Sequence, residues 1–121
     1  MGYMRHHAIV VTGNGYDGAT LNASHSKAVE LFGARHVSEL AAEVTNGYRS
    51  FAIFPDGSKE GWDTSDEYDA LRRRWIEWAR KTRHEDGSGS LDWVEVQYGD
   101  DEYETKICDD SDAPLRANGA S

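Results

Sequence analysis

The chain has 121 residues, 38% of them hydrophobic and 11% aromatic, and a formal net charge of −9, which is enough for one domain around one modest core. No run approaches the roughly 18–20 apolar residues of a membrane-spanning helix, and Met1 to His7 lack the basic start and long apolar stretch of a secretory signal. The single cysteine, Cys108, excludes an internal disulfide and a cysteine-rich zinc site, so the expected setting is cytoplasmic.

The charge is unevenly spread. Residues 1–84 carry eleven acids and eleven bases, whereas residues 85–121 carry eleven acids against Lys106 and Arg116 alone. Such an acidic stretch solvates a face or a tail. By Coulomb repulsion it disfavours direct binding of nucleic acid, and it favours basic partners.

In chain order, His6 to Thr12 (HHAIVVT) read as a strand, short and β-branched. A glycine-rich loop follows, GNGYDG at 13–18. A helix is predicted from about Asn22 to Phe32, with Leu21, His25, Ala28 and Phe32 at helical spacing and Gly33 as its stop. Residues 37–44 are good helix material by composition. They lead, however, into Asn46-Gly47, the strongest short hairpin signal, and are therefore read as a strand paired with Tyr48 to Phe54. In that second strand Phe51 and Ile53 share one face, and Pro55-Asp56-Gly57-Ser58 make the turn that ends it.

The clearest helix follows. Thr64 and Glu67 match a capping box, Tyr68, Leu71, Trp75, Trp78 and Ala79 form an apolar stripe, and Arg72, Arg73 and Arg74 fall on its flanks. The last full strand, around residues 91–98, alternates, with Val94, Val96 and Tyr98 read as inward and Trp93, Glu95 and Gln97 as outward. Glu104 to Cys108 add a short edge strand, and nothing periodic remains after Asp109. The expectation is an α+β, ferredoxin-like βαββαβ fold over residues 1–108, its antiparallel sheet covered on one face by two helices. Residues 109–121 form an acidic disordered tail whose removal leaves the melting temperature unchanged.

Candidate chemistry is sparse. Gly13-Asn14-Gly15-Tyr16-Asp17-Gly18 matches G-x-G-x-x-G, but the helix signal starts too late, Asp17 would face the phosphates, and the chain is too short for the usual parallel sheet. The five histidines (His6, His7, His25, His36, His84) show neither metal-ligand spacing nor His-x-Ser/Thr repeats. No nucleophile has an identifiable base, so neither a catalytic set nor a cofactor is assigned. Binding candidates are the cations Lys59, Arg72 and Arg73, which suit anions. To these are added Trp62 in a loop and Trp93 on the outward side of its strand, as aromatic anchors, and Asp100 and Asp101 at the start of the acidic stretch.

HHAIVVT, NGYRSFAIFPDGSKEGWDTSDEYDALRRRWIEWAR and LDWVEVQYGDDE together resemble a group of small uncharacterised accessory proteins of tailed phages with actinobacterial and related hosts, over residues 5–104. The GNGYDG loop departs from that group's pattern. The resemblance implies a product acting inside an infected host, and it carries no catalytic residues. Together these readings predict a non-enzymatic protein that binds a host factor in counter-defence or host takeover. The alternatives are a binder that sequesters a nucleotide or signal molecule, and a minor virion component.

Overall fold

A computed structural model describes residues 6–13, 18–42, 44–58, 61–82, 91–99 and 105–112. Among them, four strands and two long helices follow in the order β1 (His6–Gly13), α1 (Gly18–Phe32), β2 (Arg49–Ile53), α2 (Asp63–Lys81), β3 (Leu91–Tyr98) and β4 (Lys106–Asp110). The strands form one antiparallel sheet in the order β2-β1-β3-β4. The α+β class is as expected. Among the described residues the chain runs βαβαββ, with no regular strand between α1 and β2 and with β4 added at the far edge, so the full ferredoxin-like βαββαβ order is not shown.

Helix α1 begins at Gly18, four residues before the expected start, and buries Leu21, Ser24, Ala28 and Phe32. It stops where Gly33 takes φ 84 and donates its N–H to the Val29 carbonyl at 2.8 Å. Helix α2 has no side-chain cap, so the Thr64–Glu67 box is not formed. Its ends are instead electrostatically matched, with Asp63 and Asp66 in the first turn and Arg80 and Lys81 in the last.

The two helices share one side of the sheet. Ile9 and Val11 of β1, Phe51 and Ile53 of β2, and Leu91 and Trp93 of β3 face them in one buried cluster. Trp75 is the wedge, meeting Phe51 and Trp93 edge-on at 6.5 and 6.0 Å between ring centroids. Its indole N–H donates to the Ser24 carbonyl at 3.1 Å, which satisfies the one polar atom that this burial strands.

Three sequence expectations are corrected here. First, β3 sits with the opposite face inward: Trp93 is 4% exposed and Glu95 and Gln97 are buried, while Tyr98 is 39% exposed. The register Val11↔Trp93 and Ile9↔Glu95 requires this, because opposite residues of paired strands point to the same side. Second, the arm 37–44 lies along β2 without becoming a strand. Its amides at Ser38, Ala41 and Val44 donate to the carbonyls of Ala52, Ser50 and Tyr48. The arm thus advances three residues for every two of β2, and a regular ladder cannot form. Ser38 Oγ fills one gap by accepting the Ala52 N–H at 2.8 Å, and Arg49 Nε donates to the Ala41 carbonyl at 2.9 Å. The Asn46-Gly47 turn itself is as expected, with both residues at positive φ.

Third, ordered structure runs past Cys108. Asp109 and Asp110 belong to β4, and buried Ser111 is clipped to β3: its N–H donates to the Trp93 carbonyl at 2.9 Å, and its Oγ accepts the Trp93 N–H at 3.2 Å. Removal of 109–121 therefore strips part of the folded body. Residues 113–121 lie outside the described residues.

Candidate functional site

Among the described residues, nothing covers the side of the sheet away from the helices. Val10 is 44% and Ile107 65% exposed on it, and Val94 and Val96 are half-buried between them. Register places these side chains together: Val10 is opposite Val94, and Val96 is opposite Ile107. On β4 a bulge makes the arrangement possible. Ile107 pairs with Val96 and Asp109 with Glu95, which leaves Cys108 as the extra residue. Past the bulge the alternation is reset. Asp109 then turns to the helix side and Asp110, opposite Val94, to the open side.

An open groove of about 420 Å³ results, with Val10, Val94 and Ile107 as its floor and Asp92, Asp110 and Asp112 among its walls. The Ser111 clip holds the β4 end of this rim. The Asp110 carboxylate accepts the Asp112 N–H at 2.9 Å, which folds the chain tightly enough to bring both acids to the groove. An apolar floor with a carboxylate rim is complementary to a ligand that is both apolar and cationic.

A second, more polar pocket of about 230 Å³ lies between α2 and the β3–β4 side of the sheet, lined by His7, Asp69, Arg72, Arg73, Glu95 and Cys108. Arg72, expected on a solvated flank, is 4% exposed here. Its Nε lies 3.3 Å from Glu95 Oε2, its Nη2 bonds Asp69, and its Nη1 is 3.9 Å from Asp56 Oδ1. Burial pushes the Glu95 carboxyl above its ordinary value of 4.5. Arg72 and Arg73 draw it back down, and Asp109 and Asp69 push it further up. Nearby, Arg80 Nη2 meets Asp109 Oδ1 at 2.6 Å and its guanidinium lies 5.3 Å from the Trp93 ring centre. Carboxylates are as numerous as guanidiniums here and already occupy Arg72, so an incoming anion would have to displace them. The cluster is an ionic joint between α2 and the sheet.

The sequence candidates are thereby dispersed. Arg72 is in the joint, Arg73 is exposed at its edge, and Trp93 is core and no anchor. Trp62 is 52% exposed at the start of α2, while Lys59, Asp100 and Asp101 lie outside the described residues. Gly13, the first glycine of the G-x-G-x-x-G match, has a packing reason. A Cβ there would meet Leu21 Cδ1 at 3.0 Å and Leu91 Cδ2 at 3.3 Å, so glycine lets α1 lie close on β1. Asn14 to Asp17 lie outside the described residues, and β1 is flanked by antiparallel neighbours, unlike the parallel sheet of a dinucleotide site. His25 borders the sheet, with Nε2 2.8 Å from the Ser38 carbonyl oxygen. Among the described residues no group of three His, Cys, Asp or Glu is placed to hold a metal, and no helix is long and apolar enough to cross a membrane.

Sequence reasoning missed the open-face groove. Its signal was present in Lys106 to Asp112, where apolar Ile107 precedes three acids, Asp109, Asp110 and Asp112, but only the bulge at Cys108 tells which of those acids face the same way as Ile107. Comparison of the chain with protein-family models, curated proteins and solved structures finds no match.

Proposed function

We propose that this chain is a non-catalytic binding protein whose open sheet face takes a basic, partly apolar segment of a partner protein. The observation that carries the reading is the pairing of an exposed apolar floor, Val10, Val94 and Ile107, with Asp92, Asp110 and Asp112 at its edges. Burying the floor supplies the hydrophobic drive, and the carboxylates select a cationic partner and speed its approach. The net charge of −9 acts in the same direction over longer range. The resemblance to phage accessory proteins extends the proposal to a host protein as the partner, met in the cytoplasm of an infected cell.

The test is titration of the protein with a synthetic peptide of alternating lysine and isoleucine, beside its glutamate-isoleucine counterpart. Binding is followed by calorimetry and by methyl shifts of Val10, Val94 and Ile107. The basic peptide is expected to bind, to shift those methyls and to weaken as salt is raised. Equal affinity for both peptides, or shifts confined to other surfaces, would overturn the proposal.

A further inference from the structure

The open face continues past the groove. On that side β3 carries Asp92, Val94, Val96 and Tyr98, the last of them 39% exposed. Pairing puts His6 of β1 opposite Tyr98, and the two rings meet at 5.5 Å between centroids with 47° between their planes. At that tilt neither ring stacks over the other, so aromatic surface stays open to water. Val96, opposite Ile107 on one side and Ala8 on the other, joins this ring pair to the apolar floor. Along β3 the face thus presents a carboxylate, then aliphatic side chains, then an aromatic pair.

The strand fixes the spacing. Asp92 and Tyr98 are six residues apart on β3, about 20 Å at roughly 3.3 Å per residue. An extended segment lying along β3 covers the same length in about six residues and turns alternate side chains to the sheet. A base at the Asp92 end then aligns with a residue about six positions away over His6 and Tyr98. The side chain that fits there is aromatic. It buries a large apolar area on a flat face, and it meets the two rings edge-on or offset, contacts that add about two- to tenfold in affinity beyond area.

We infer that His6 and Tyr98 form an aromatic subsite continuous with the groove, and that the partner's segment carries an aromatic side chain about six residues from a base. The inference deepens the basic-partner reading and rests on it for the remainder of the segment. Tyr98 becomes a specificity-determining residue. The carboxylates Asp92, Asp110 and Asp112 select for positive charge, which many segments carry, and the ring pair selects among those segments by the position of one aromatic group.

The experiment uses two short peptides of the same composition, each starting with lysine and continuing with isoleucine and serine. Tryptophan stands six positions from the first lysine in one and two positions from it in the other. Calorimetry gives both affinities for the parent, Tyr98→Ala and Tyr98→Phe, and the ring resonances of His6 and Tyr98 report contact. N-acetyl-tryptophanamide is titrated alongside. The inference expects the six-position peptide to bind the parent about two- to tenfold more tightly than the two-position peptide. Tyr98→Ala should erase that preference, and Tyr98→Phe should keep it. Equal affinity for the two peptides, with both rings unshifted, overturns the inference and leaves the basic-partner reading standing. Ring shifts with N-acetyl-tryptophanamide, without any preference for the lysine-isoleucine peptide over its glutamate counterpart, uphold the aromatic subsite and overturn the basic-partner reading. The two-peptide comparison on the parent answers the question even if Tyr98→Ala fails to fold.

Discussion

Replacing Arg72 by methionine isolates the ionic joint between α2 and the sheet. Methionine is close to the arginine stem in length and apolar, so the packing beside Trp75 and Ile76 is largely kept while the cation is lost. Glu95 then remains buried on β3 with Asp69 and Asp109 as its charged neighbours and with Arg73 only at the edge. Stranding one member of a buried ion pair costs about 3–5 kcal/mol, roughly 12–20 °C in melting temperature for a domain of this size. The cost has a pH signature. Glu95 already titrates above 4.5 in the folded protein because burial outweighs its arginine neighbours. A carboxyl with a raised folded value contributes its full stability below the unfolded value, and that contribution is lost as pH rises through the folded value. Removing Arg72 raises the folded value further, so the deficit of the variant against the parent should be small near pH 4.5 and grow toward pH 8. Urea denaturation of both proteins across that range measures it. A deficit independent of pH, or one below about 1 kcal/mol at pH 8, would refute the argument that Arg72 compensates a buried carboxylate. The double variant Arg72→Met, Glu95→Leu should recover most of the loss, since neither charge is then left buried alone.

Glu95→Gln alone removes the titrating group, so its stability relative to the parent should improve as pH rises from 4.5 through the raised value, as denaturation midpoints at pH 4, 6 and 8 would show. Gly13→Ala forces a Cβ to 3.0 Å from Leu21 Cδ1 and should cost about 1–3 kcal/mol without altering binding on the open face, measured by thermal melting and peptide titration together. Trp75→Ala empties the wedge between Phe51 and Trp93 and should cost about 3–5 kcal/mol in urea denaturation. A chain ending at Cys108 loses the Arg80–Asp109 pair and both Ser111–Trp93 hydrogen bonds, so it should melt well below one ending at Asp112. Ile107→Lys, on a position 65% exposed, should leave the melting temperature within a few degrees and abolish binding of the basic peptide by repulsion.

How much was legible follows from how local each cause is. Helix α1 with its Gly33 stop, helix α2, the strand at β1 and the turn at Asn46-Gly47 are dictated by periodicity and by backbone conformations that few residues tolerate, and these were read directly. The arm 37–44 was not, because its neighbours' requirements overrode its own preference. Hydrogen-bonding groups on Ser38 and Arg49 replace a ladder that its pairing of three residues to two cannot make. The α2 stripe was read with Arg72 outside it, since a guanidinium is ordinarily left in water. It becomes a core-facing residue only because Glu95 and Asp56 are brought to it from β3 and the turn after β2.

The sequence alone determined where both helices and the strands β1, β2 and β3 lie, the turn at Asn46-Gly47, and that its negative charge gathers late. Tertiary structure decided which way β3 faces, because strict alternation presents two equally regular faces and only the register with β1, and the helices on one side of it, break the tie. It likewise decided that Asp109 and Asp110 belong to a strand of the folded body. The bulge at Cys108 resets the alternation of β4, sending Asp109 inward to Arg80 and Asp110 outward to the groove. The candidate site is a product of that single inserted residue and of the strand pairing around it.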